Sequence, residues 1–348
     1  MSDALKRKRI KGTITVPGDK SISHRAVMLS GISRGKSLIR GFLKSDDCMS
    51  TISCLGRLGI EIAEEDDCIA VNGKGLHGLR KPEAELNAGN SGTTMRLLSG
   101  ILSGQEFQST ITGDESLRKR PMSRIAVPLR QMGATIESSG VGEYAPLSIR
   151  GGRLKGIEYR PLIASAQVKS AILLAGLYIE SITRVIETIP SRNHTEIMLK
   201  HYGAEINGTE NTIEISKSEL TGREIEVPGD ISSAAFFIAA FAEGTTVISG
   251  AGELKVKESN RIVAMVSQLG RLGVSIRELE DGMEIEGPSV IKGGEAESFG
   301  DHRIAMAMAI CGLFAEKDIT IKGKEAVSIS FPGFFDILSD VVVKKGCV

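Results

Sequence analysis

Apolar residues along the chain first follow a helical spacing and then alternate, and the switch between the two periods recurs at glycine. Gly59-Ile60-Glu61-Ile62, Gly133-Ala134-Thr135-Ile136, Gly203-Ala204-Glu205-Ile206 and Gly273-Val274-Ser275-Ile276 each end a helical pattern and open an alternating one. The four glycines stand 74, 70 and 70 residues apart, each where a helix C-terminal cap is expected. Ahead of each lies another, more uniformly apolar helix, starting near Lys20, Asn90, Ala166, Ile231 and His302. Self-similarity at a fixed period defines an architecture before any motif does. The repeat predicted is helix, strand, helix, strand, strand, with a further strand leading into the next helix. Five such units begin and four finish.

The fifth unit runs out after a helix predicted over 333–342, without its closing strands. Segment 8–16 is strand-like and belongs to no preceding unit, so it is the natural piece to complete the last one. That arrangement brings both termini into one domain. Val16-Pro17-Gly18-Asp19 recurs as Val227-Pro228-Gly229-Asp230, a strand end, a Pro-Gly turn and a helix start. Two such joints predict two crossings between domains, with hinges near 17–20 and 228–230. The predicted domains are 20–228, with three units, and 1–19 plus 229–348, with two units and the N-terminal strand.

Composition narrows the partners. A length of 348 residues suits two domains with their own cores. With 43 basic and 43 acidic side chains there is no global field to attract nucleic acid or a membrane surface, so a small-molecule partner held by local charge is expected. The opening Lys6-Arg7-Lys8-Arg9 has no apolar stretch behind it, so no secretory signal is read and a cytoplasmic protein is expected. The most apolar stretches, 171–179 and 234–242, fall short of the roughly 18–20 residues needed to span a bilayer. Five cysteines without a Cys-x-x-Cys pair read as reduced thiols, and the five histidines lack metal-ligand spacing. No metal and no cofactor are implied.

Candidate chemistry gathers at the helix starts. Lys20-Ser21-Ile22-Ser23-His24-Arg25, Asn90-Ser91-Gly92-Thr93-Thr94-Met95-Arg96, Ser165-Ala166-Gln167 and Gly300-Asp301-His302-Arg303 combine capping side chains with glycine, hydroxyl, amide or basic groups. Ser, Asn and Asp there are ordinary caps, but capping does not require Arg25, Arg96 and Arg303 beside them. A helix N-terminus presents unpaired N–H groups and about half a positive charge. Several parallel helices ending at one surface therefore predict a shared anion-binding cleft between the domains. Further basic groups follow in Leu117-Arg118-Lys119-Arg120-Pro121, Ser191-Arg192-Asn193-His194 and Lys255-Val256-Lys257-Glu258-Ser259-Asn260-Arg261. They fit a ligand with several phosphate or carboxylate groups, for which arginine supplies two-pronged hydrogen bonds. Arg25 is expected to serve that ligand and to matter little to the fold. Glu258, between Lys257 and Arg261, reads either as an ion-pair partner or as a general acid or base. No Walker loop, Gly-x-Ser-x-Gly, His-Glu-x-x-His or dinucleotide fingerprint occurs.

These residues resemble one family, 5-enolpyruvylshikimate-3-phosphate synthase, the glyphosate-inhibited enolpyruvyl transferase of the shikimate pathway of aromatic amino acid biosynthesis. The resemblance covers nearly the whole chain. It rests on Pro17-Gly18-Asp19-Lys20-Ser21-Ile22-Ser23-His24-Arg25, residues 89–96, Arg118-Lys119-Arg120-Pro121-Met122, residues 164–174 and Gly300-Asp301-His302-Arg303-Ile304-Ala305-Met306-Ala307. It implies an α/β fold, a two-domain inverse α/β barrel of these repeated units. It also implies a cofactor-free enzyme, a 3-phosphoshikimate 1-carboxyvinyltransferase. Carried over position by position, Ser21, Arg25, Ser165, Gln167, Arg192 and Lys257 would hold shikimate 3-phosphate. Lys20, Asn90, Gly92, Arg96, Arg120, Gln167, Arg261 and Arg303 would hold phosphoenolpyruvate. Lys20, Glu258 and His302 would be the catalytic set. Ser165-Ala166-Gln167 resembles the branch that tolerates glyphosate, whereas Gly92 resembles the sensitive pattern.

The chain also departs from the family, whose members have six units. After Ser232-Ser233-Ala234-Ala235-Phe236-Phe237-Ile238 it continues, from about Phe241, like the family's fifth unit, so one period is missing from the second domain. With it goes an aspartate that the family uses on the shikimate hydroxyls, and Asn193 and Asn260 stand where the family usually has acids. Asp230 is a weak substitute for the lost aspartate. The missing unit raises the alternative of a catalytically impaired binding protein of the same fold. It also predicts self-association through the incomplete second domain. A transferase acting on UDP-N-acetylglucosamine is the other enzymatic alternative, but its loop cysteine has no counterpart in 104–128.

Overall fold

A computed structural model of the chain describes residues 8–10, 17–209, 211–229, 244–248, 254–255, 258–280 and 282–344. The chain divides into two compact domains, Gly18–Pro228 and Met1–Pro17 with Gly229–Val348. β1 (Lys8–Ile10) belongs to the latter.

The Gly18–Pro228 domain contains three repeats. The first is α1 (Lys20–Gly31), β2 (Arg34–Arg40), α2 (Asp46–Arg57), β3 (Glu61–Glu65) and β4 (Cys68–Lys74). In the second, β5 (Leu86–Asn87) leads into α3 (Gly92–Ser103), β6 (Gln108–Thr112), a short α4 (Glu115–Arg118), α5 (Ser123–Gln131), β7 (Thr135–Ser139) and β8 (Tyr144–Arg150). The third has β9 (Glu158–Tyr159), α6 (Ala166–Gly176), β10 (Thr183–Ile186), α7 (His194–His201), β11 (Ile206–Gly208) and β12 (Thr212–Ile215), and the chain then enters β13 (Glu224–Glu226).

Each repeat builds the same four-stranded sheet, with orders β13-β2-β4-β3, β5-β6-β8-β7 and β9-β10-β12-β11. The first pair in each is parallel and the other two are antiparallel. The parallel strand is always the one leading out of a preceding repeat. For the first repeat that strand is β13, with Ile225 opposite Ile39, so the end of the third repeat closes the ring on the first.

The glycine caps repeat atom for atom. Gly59, Gly133 and Gly203 have φ of +88°, +110° and +100°. The N–H of the following residue reaches five residues back into the helix: Ile60 to the Leu55 carbonyl at 3.0 Å, Ala134 to Leu129 at 3.1 Å and Ala204 to Leu199 at 2.9 Å. This is the double-bonded cap that needs a left-handed residue, which glycine adopts without a Cβ clash. The first helices of the repeats are apolar on all sides because they run through the core, where α1, α3 and α6 bury most of their residues. α3 and α6 approach backbone to backbone: a Cβ on Gly100 would stand 2.2 Å from the Ala171 carbonyl oxygen. α1 ends at Gly31: the Ser33 hydroxyl donates to the Leu29 carbonyl and β2 begins at Arg34.

In the second domain the described elements are β14 (Gly244–Ile248), α8 (Arg261–Arg271), β15 (Ser275–Leu279), β16 (Gly282–Gly287), β17 (Gly294–Glu297), α9 (His302–Gly312), β18 (Ile319–Lys322), a 3-10 helix (Lys324–Ile329), α10 (Phe334–Val341) and β19 (Val342–Lys344), besides β1. Gly273, at φ +95°, caps α8 in the same way, with Val274 N–H to the Leu269 carbonyl at 3.0 Å. β14, β16 and β15 form an antiparallel sheet, β17 pairs parallel to β18, and β1 pairs antiparallel to β19 with Arg9 opposite Val343. The N-terminal strand thus joins the last unit of the chain. α9 carries a separate apolar cluster on each of two faces: Ile304, Met308 and Cys311 with Leu269 and Leu272, and Met306 and Ile310 with Phe331 and Phe334. The helix expected near Ile231, and Asp230, lie outside the described residues. Among the described residues no helix is long and apolar enough to cross a membrane, and Cys48, Cys54, Cys68 and Cys311 are free.

Candidate functional site

The Gly18–Pro228 domain brings the first turns of α1, α3 and α6 together. Asp19 caps α1, its carboxylate accepting from Ile22 N–H at 2.8 Å, and so fixes where the helix begins. The next residue, Lys20, places Nζ 2.9 Å from Asp47 Oδ2, at the start of α2. One turn on, His24 is fully buried and heads a chain of hydroxyls across three helices. Its Nδ1 lies 2.7 Å from Thr51 Oγ1, Thr51 lies 2.7 Å from Thr94 Oγ1, and Thr94 donates to Ser91 Oγ at 2.8 Å. Burial, with Lys20 and Arg25 nearby, holds the His24 imidazole well below its usual range, so it is neutral at pH 7.

Arg25 is the hub of this surface and is only 5% exposed. Nε donates to Thr195 Oγ1 at 2.6 Å, one terminal nitrogen to the Ser21 carbonyl at 2.9 Å and the other to Ser170 Oγ at 2.8 Å. It therefore ties α1 to α6 and α7, which corrects the expectation that Arg25 matters little to the fold. Burial lowers its pKa to about 10, still far above neutrality, so the cation persists. Among the described residues no carboxylate hydrogen-bonds it; Glu196 and Asp19 act on it only at longer range. Arg192, by contrast, is exposed, and its side chain makes no hydrogen bond or ion pair with the described residues.

On α3, Arg96 donates to Gln167 Oε1 at 2.5 Å, and Gln167 Nε2 donates to Thr93 Oγ1 at 2.9 Å, which joins the N-termini of α3 and α6. Arg120 donates to Asn90 Oδ1 at 2.6 Å and to the Asn90 carbonyl at 3.3 Å. Asn90 is held in turn by Asp114 at 2.6 Å. Gly92 sits between these two arginines: a Cβ there would be 3.1 Å from one Arg96 terminal nitrogen and 3.6 Å from one of Arg120. Ser165 is the N-terminal boundary of α6 and is buried, but its side chain makes no capping bond. Lys20, Ser21, Arg25, Asn90, Gly92, Arg96, Arg120, Ser165 and Gln167 thus share linked helix starts of one domain.

The second domain holds a different arrangement. Asp301 caps α9 through Arg303 N–H at 2.9 Å and accepts Arg261 Nε at 2.7 Å and Ser259 Oγ at 3.0 Å. Glu258 pairs with the same guanidinium. Arg261 is therefore bracketed by two carboxylates, and His302 beside them is fully buried. Lys257 lies outside the described residues. Among the described residues no cluster of three His, Cys, Asp or Glu side chains could hold a metal ion.

Sequence reasoning missed a buried cluster behind Arg25. Lys169, 1% exposed, stands 2.7 Å from both Glu187 Oε2 and Glu196 Oε1. The available signal was a lysine inside the otherwise apolar α6. Asp47, the partner of Lys20, was also missed, since Ser45-Asp46-Asp47 reads as a plain helix start.

The family model described as EPSP synthase (3-phosphoshikimate 1-carboxyvinyltransferase) matches residues 5–241 and 238–338. A 3-phosphoshikimate 1-carboxyvinyltransferase of Alkaliphilus metalliredigens is 49% identical over 419 residues, covering 97% of this chain and 99% of that protein. One of Brevibacillus brevis is 43% identical over 414 residues, covering 95% and 97%. A solved EPSP synthase of Acinetobacter baumannii aligns with a TM-score of 0.84 at 38% identity, covering 97% of each chain. The 419-position alignment is longer than the 348-residue chain, and 419 less 348 leaves at least 71 positions with no residue here. That is about one repeat, and the family match breaks at 238–241, where the sequence skips a period. The chain belongs to the EPSP synthase family and has its two-domain inverse α/β barrel fold.

Proposed function

We propose that the protein transfers the enolpyruvyl group of phosphoenolpyruvate to the 5-hydroxyl of shikimate 3-phosphate and releases phosphate. The observation that carries this reading is the joined set of helix starts around Arg25, Arg96 and Gln167, in a chain whose relatives are named for that reaction over nearly their full length. Ser21, Arg25, Ser165, Gln167, Arg192 and Lys257 hold shikimate 3-phosphate. Lys20, Asn90, Gly92, Arg96, Arg120, Gln167, Arg261 and Arg303 hold phosphoenolpyruvate.

In the reaction, the methylene carbon of phosphoenolpyruvate takes a proton while the 5-hydroxyl oxygen bonds to C2 and gives its own proton to a base. The tetrahedral adduct then loses a proton from the same carbon as the bond from C2 to the phosphate oxygen breaks, which restores the double bond. Glu258, Lys20 and His302 are the groups assigned to exchange these protons. Arginine and helix N-termini are suited to the charge that develops on the adduct, because fixed dipoles need no reorganisation during the step.

The test is phosphate release with both substrates, with the enolpyruvyl product identified by mass. Release that needs both substrates and yields the product supports the reading. Binding of both substrates without product overturns it in favour of a binding protein.

A further inference from the structure

The segment that carries Ser191, Arg192 and Thr195 lies between β10 and the first turn of α7, and packing alone does not fix it. A cavity of 390 Å³ borders it, lined by Lys169, Glu187, Pro190, Ser191, Asn193 and Glu196 among others. A loop beside open space has few dispersion contacts on that side, so other forces must set its position. Here the force is ionic. Lys169 Nζ lies 2.7 Å from Glu187 Oε2, 2.7 Å from Glu196 Oε1 and 3.4 Å from the Ser191 carbonyl. Glu187 Oε1 accepts the Ser191 N–H at 3.2 Å and also the Ser191 hydroxyl. Both ends of the segment are thus pinned to one ammonium on α6, the helix whose N-terminus bears Ser165 and Gln167.

Two buried carboxylates on one lysine are a costly choice for stability alone, since apolar residues of similar volume usually do as well or better. What the charges add is direction. Thr195, next to Glu196, receives Arg25 Nε at 2.6 Å and lies 2.6 Å from Ser170 Oγ, one residue past Lys169. The Lys169 cluster and the Arg25 cluster are therefore joined through neighbouring residues on both α6 and α7. A shift of the segment would move Thr195 from Arg25 and Arg192 from its place together.

We propose that Lys169, with Glu187 and Glu196, is a positioning device that fixes the Ser191 to Thr195 segment so that Arg25 and Arg192 present their charges to the phosphate-bearing substrate. This rests on the reading that these arginines hold shikimate 3-phosphate. It makes a selective claim: the device serves one substrate and not phosphoenolpyruvate, whose assigned residues, apart from Gln167, lie on or within two residues of α1, α3 and α4 or in the second domain.

The experiment measures Kd for shikimate 3-phosphate and KM for each substrate in the full chain and in two variants, with amide exchange at Ser191 followed alongside. Glu187→Ala removes the acceptor for Ser191 and one partner of Lys169. It should raise Kd and KM for shikimate 3-phosphate about tenfold, leave KM for phosphoenolpyruvate within about twofold, and speed exchange of the Ser191 amide. Glu187→Gln keeps the volume and one acceptor oxygen, which can still serve Ser191, and should recover the slow exchange and part of the affinity. Equal losses for both substrates, or no recovery in Glu187→Gln at equal melting temperature, overturn the inference. A Glu187→Ala variant that does not fold leaves Glu187→Gln to decide, through Ser191 exchange and Kd. A parent chain that does not bind shikimate 3-phosphate overturns the functional reading and this inference with it. A parent that binds, with unchanged variants, overturns this inference alone.

Discussion

The two domains use the same repeat to different ends. In Gly18–Pro228 the third repeat hands β13 to the first, every sheet has four strands, and one apolar cluster runs through all three repeats. In the second domain the described strands form sheets of three, two and two, and the apolar residues fall into two clusters on opposite sides of α9. The contrast extends to charge. Arg25 is held by hydroxyls and a carbonyl, which leave its charge available to an anion, whereas Arg261 is bracketed by Asp301 and Glu258. Ring closure thus accompanies a surface suited to binding, and the second domain holds its arginine with the carboxylate assigned to proton transfer.

The sharpest test of that division is Glu258→Gln. If the second domain supplies proton transfer, turnover should fall roughly 10² to 10⁴-fold with little change in substrate affinity. Unaltered turnover would make Glu258 a structural partner of Arg261 and remove the chemical half of the contrast.

Arginine substitutions in the closed domain come next. Arg25→Ala removes three buried hydrogen bonds, two of which tie α1 to α6 and α7, at about 0.5–1.5 kcal/mol net for each, while Thr195 and Ser170 keep their bond to each other. A marked fall in melting temperature should therefore accompany any loss of binding. Arg192→Ala should weaken shikimate 3-phosphate by about 1.5–3 kcal/mol, read by calorimetry, at an unchanged melting temperature. If the two variants behave alike, the distinction between a knitted and a presented arginine fails.

Acid should separate the domains more gently. The folded-state pKa of His24 lies well below 6.5 because of burial. As pH falls below 6.5, the unfolded chain therefore binds a proton that the folded chain refuses, and stability falls. The slope is at most about 1.4 kcal/mol per pH unit for one such group. His194, lowered chiefly by partial burial, adds in the same direction. Denaturant midpoints for the parent and His24→Gln at pH 7 and pH 5.5 check this: the variant should lose less on acidification. Parallel losses would place the acid sensitivity elsewhere.

The smallest effect is expected at Gly92. An added Cβ meets Arg96 at 3.1 Å, at the far end of a flexible side chain, so Gly92→Ala should cost little stability. It should raise KM for phosphoenolpyruvate a few-fold by displacing that guanidinium. A large fall in melting temperature would show that the turn, not the arginine, gives way.

How much of this was legible in the sequence depended on whether the signal was periodic. Gly59, Gly133, Gly203 and Gly273 announced four identical caps because a left-handed position admits few residues besides glycine. The strand at Lys8–Ile10 was assignable to the last unit because an alternating segment with no preceding helix needs a partner. The helix starts were legible as chemistry because capping alone does not ask for arginine. What the sequence concealed was pairing across repeats. The apolar run of α6 around Lys169 marks it as unusual, but nothing local names its partners, since Glu187 lies just past β10 and Glu196 on α7. Arg25 looked available for the same reason: its partners Ser170 and Thr195 are 145 and 170 residues away.

The pairing of β1 with β19 imposes an order on synthesis. Closure of the first ring needs the chain only as far as β13, so the Gly18–Pro228 domain has all its strands once Glu226 has left the ribosome. β1 is made before any of it, yet its partner Val342–Lys344 is made more than a hundred residues after β13. Throughout that interval β1 has no β19 to pair with, and unpaired edges are what chaperones shield and aggregates recruit. The domain with the smaller apolar clusters is thus also the one that must wait longest to assemble.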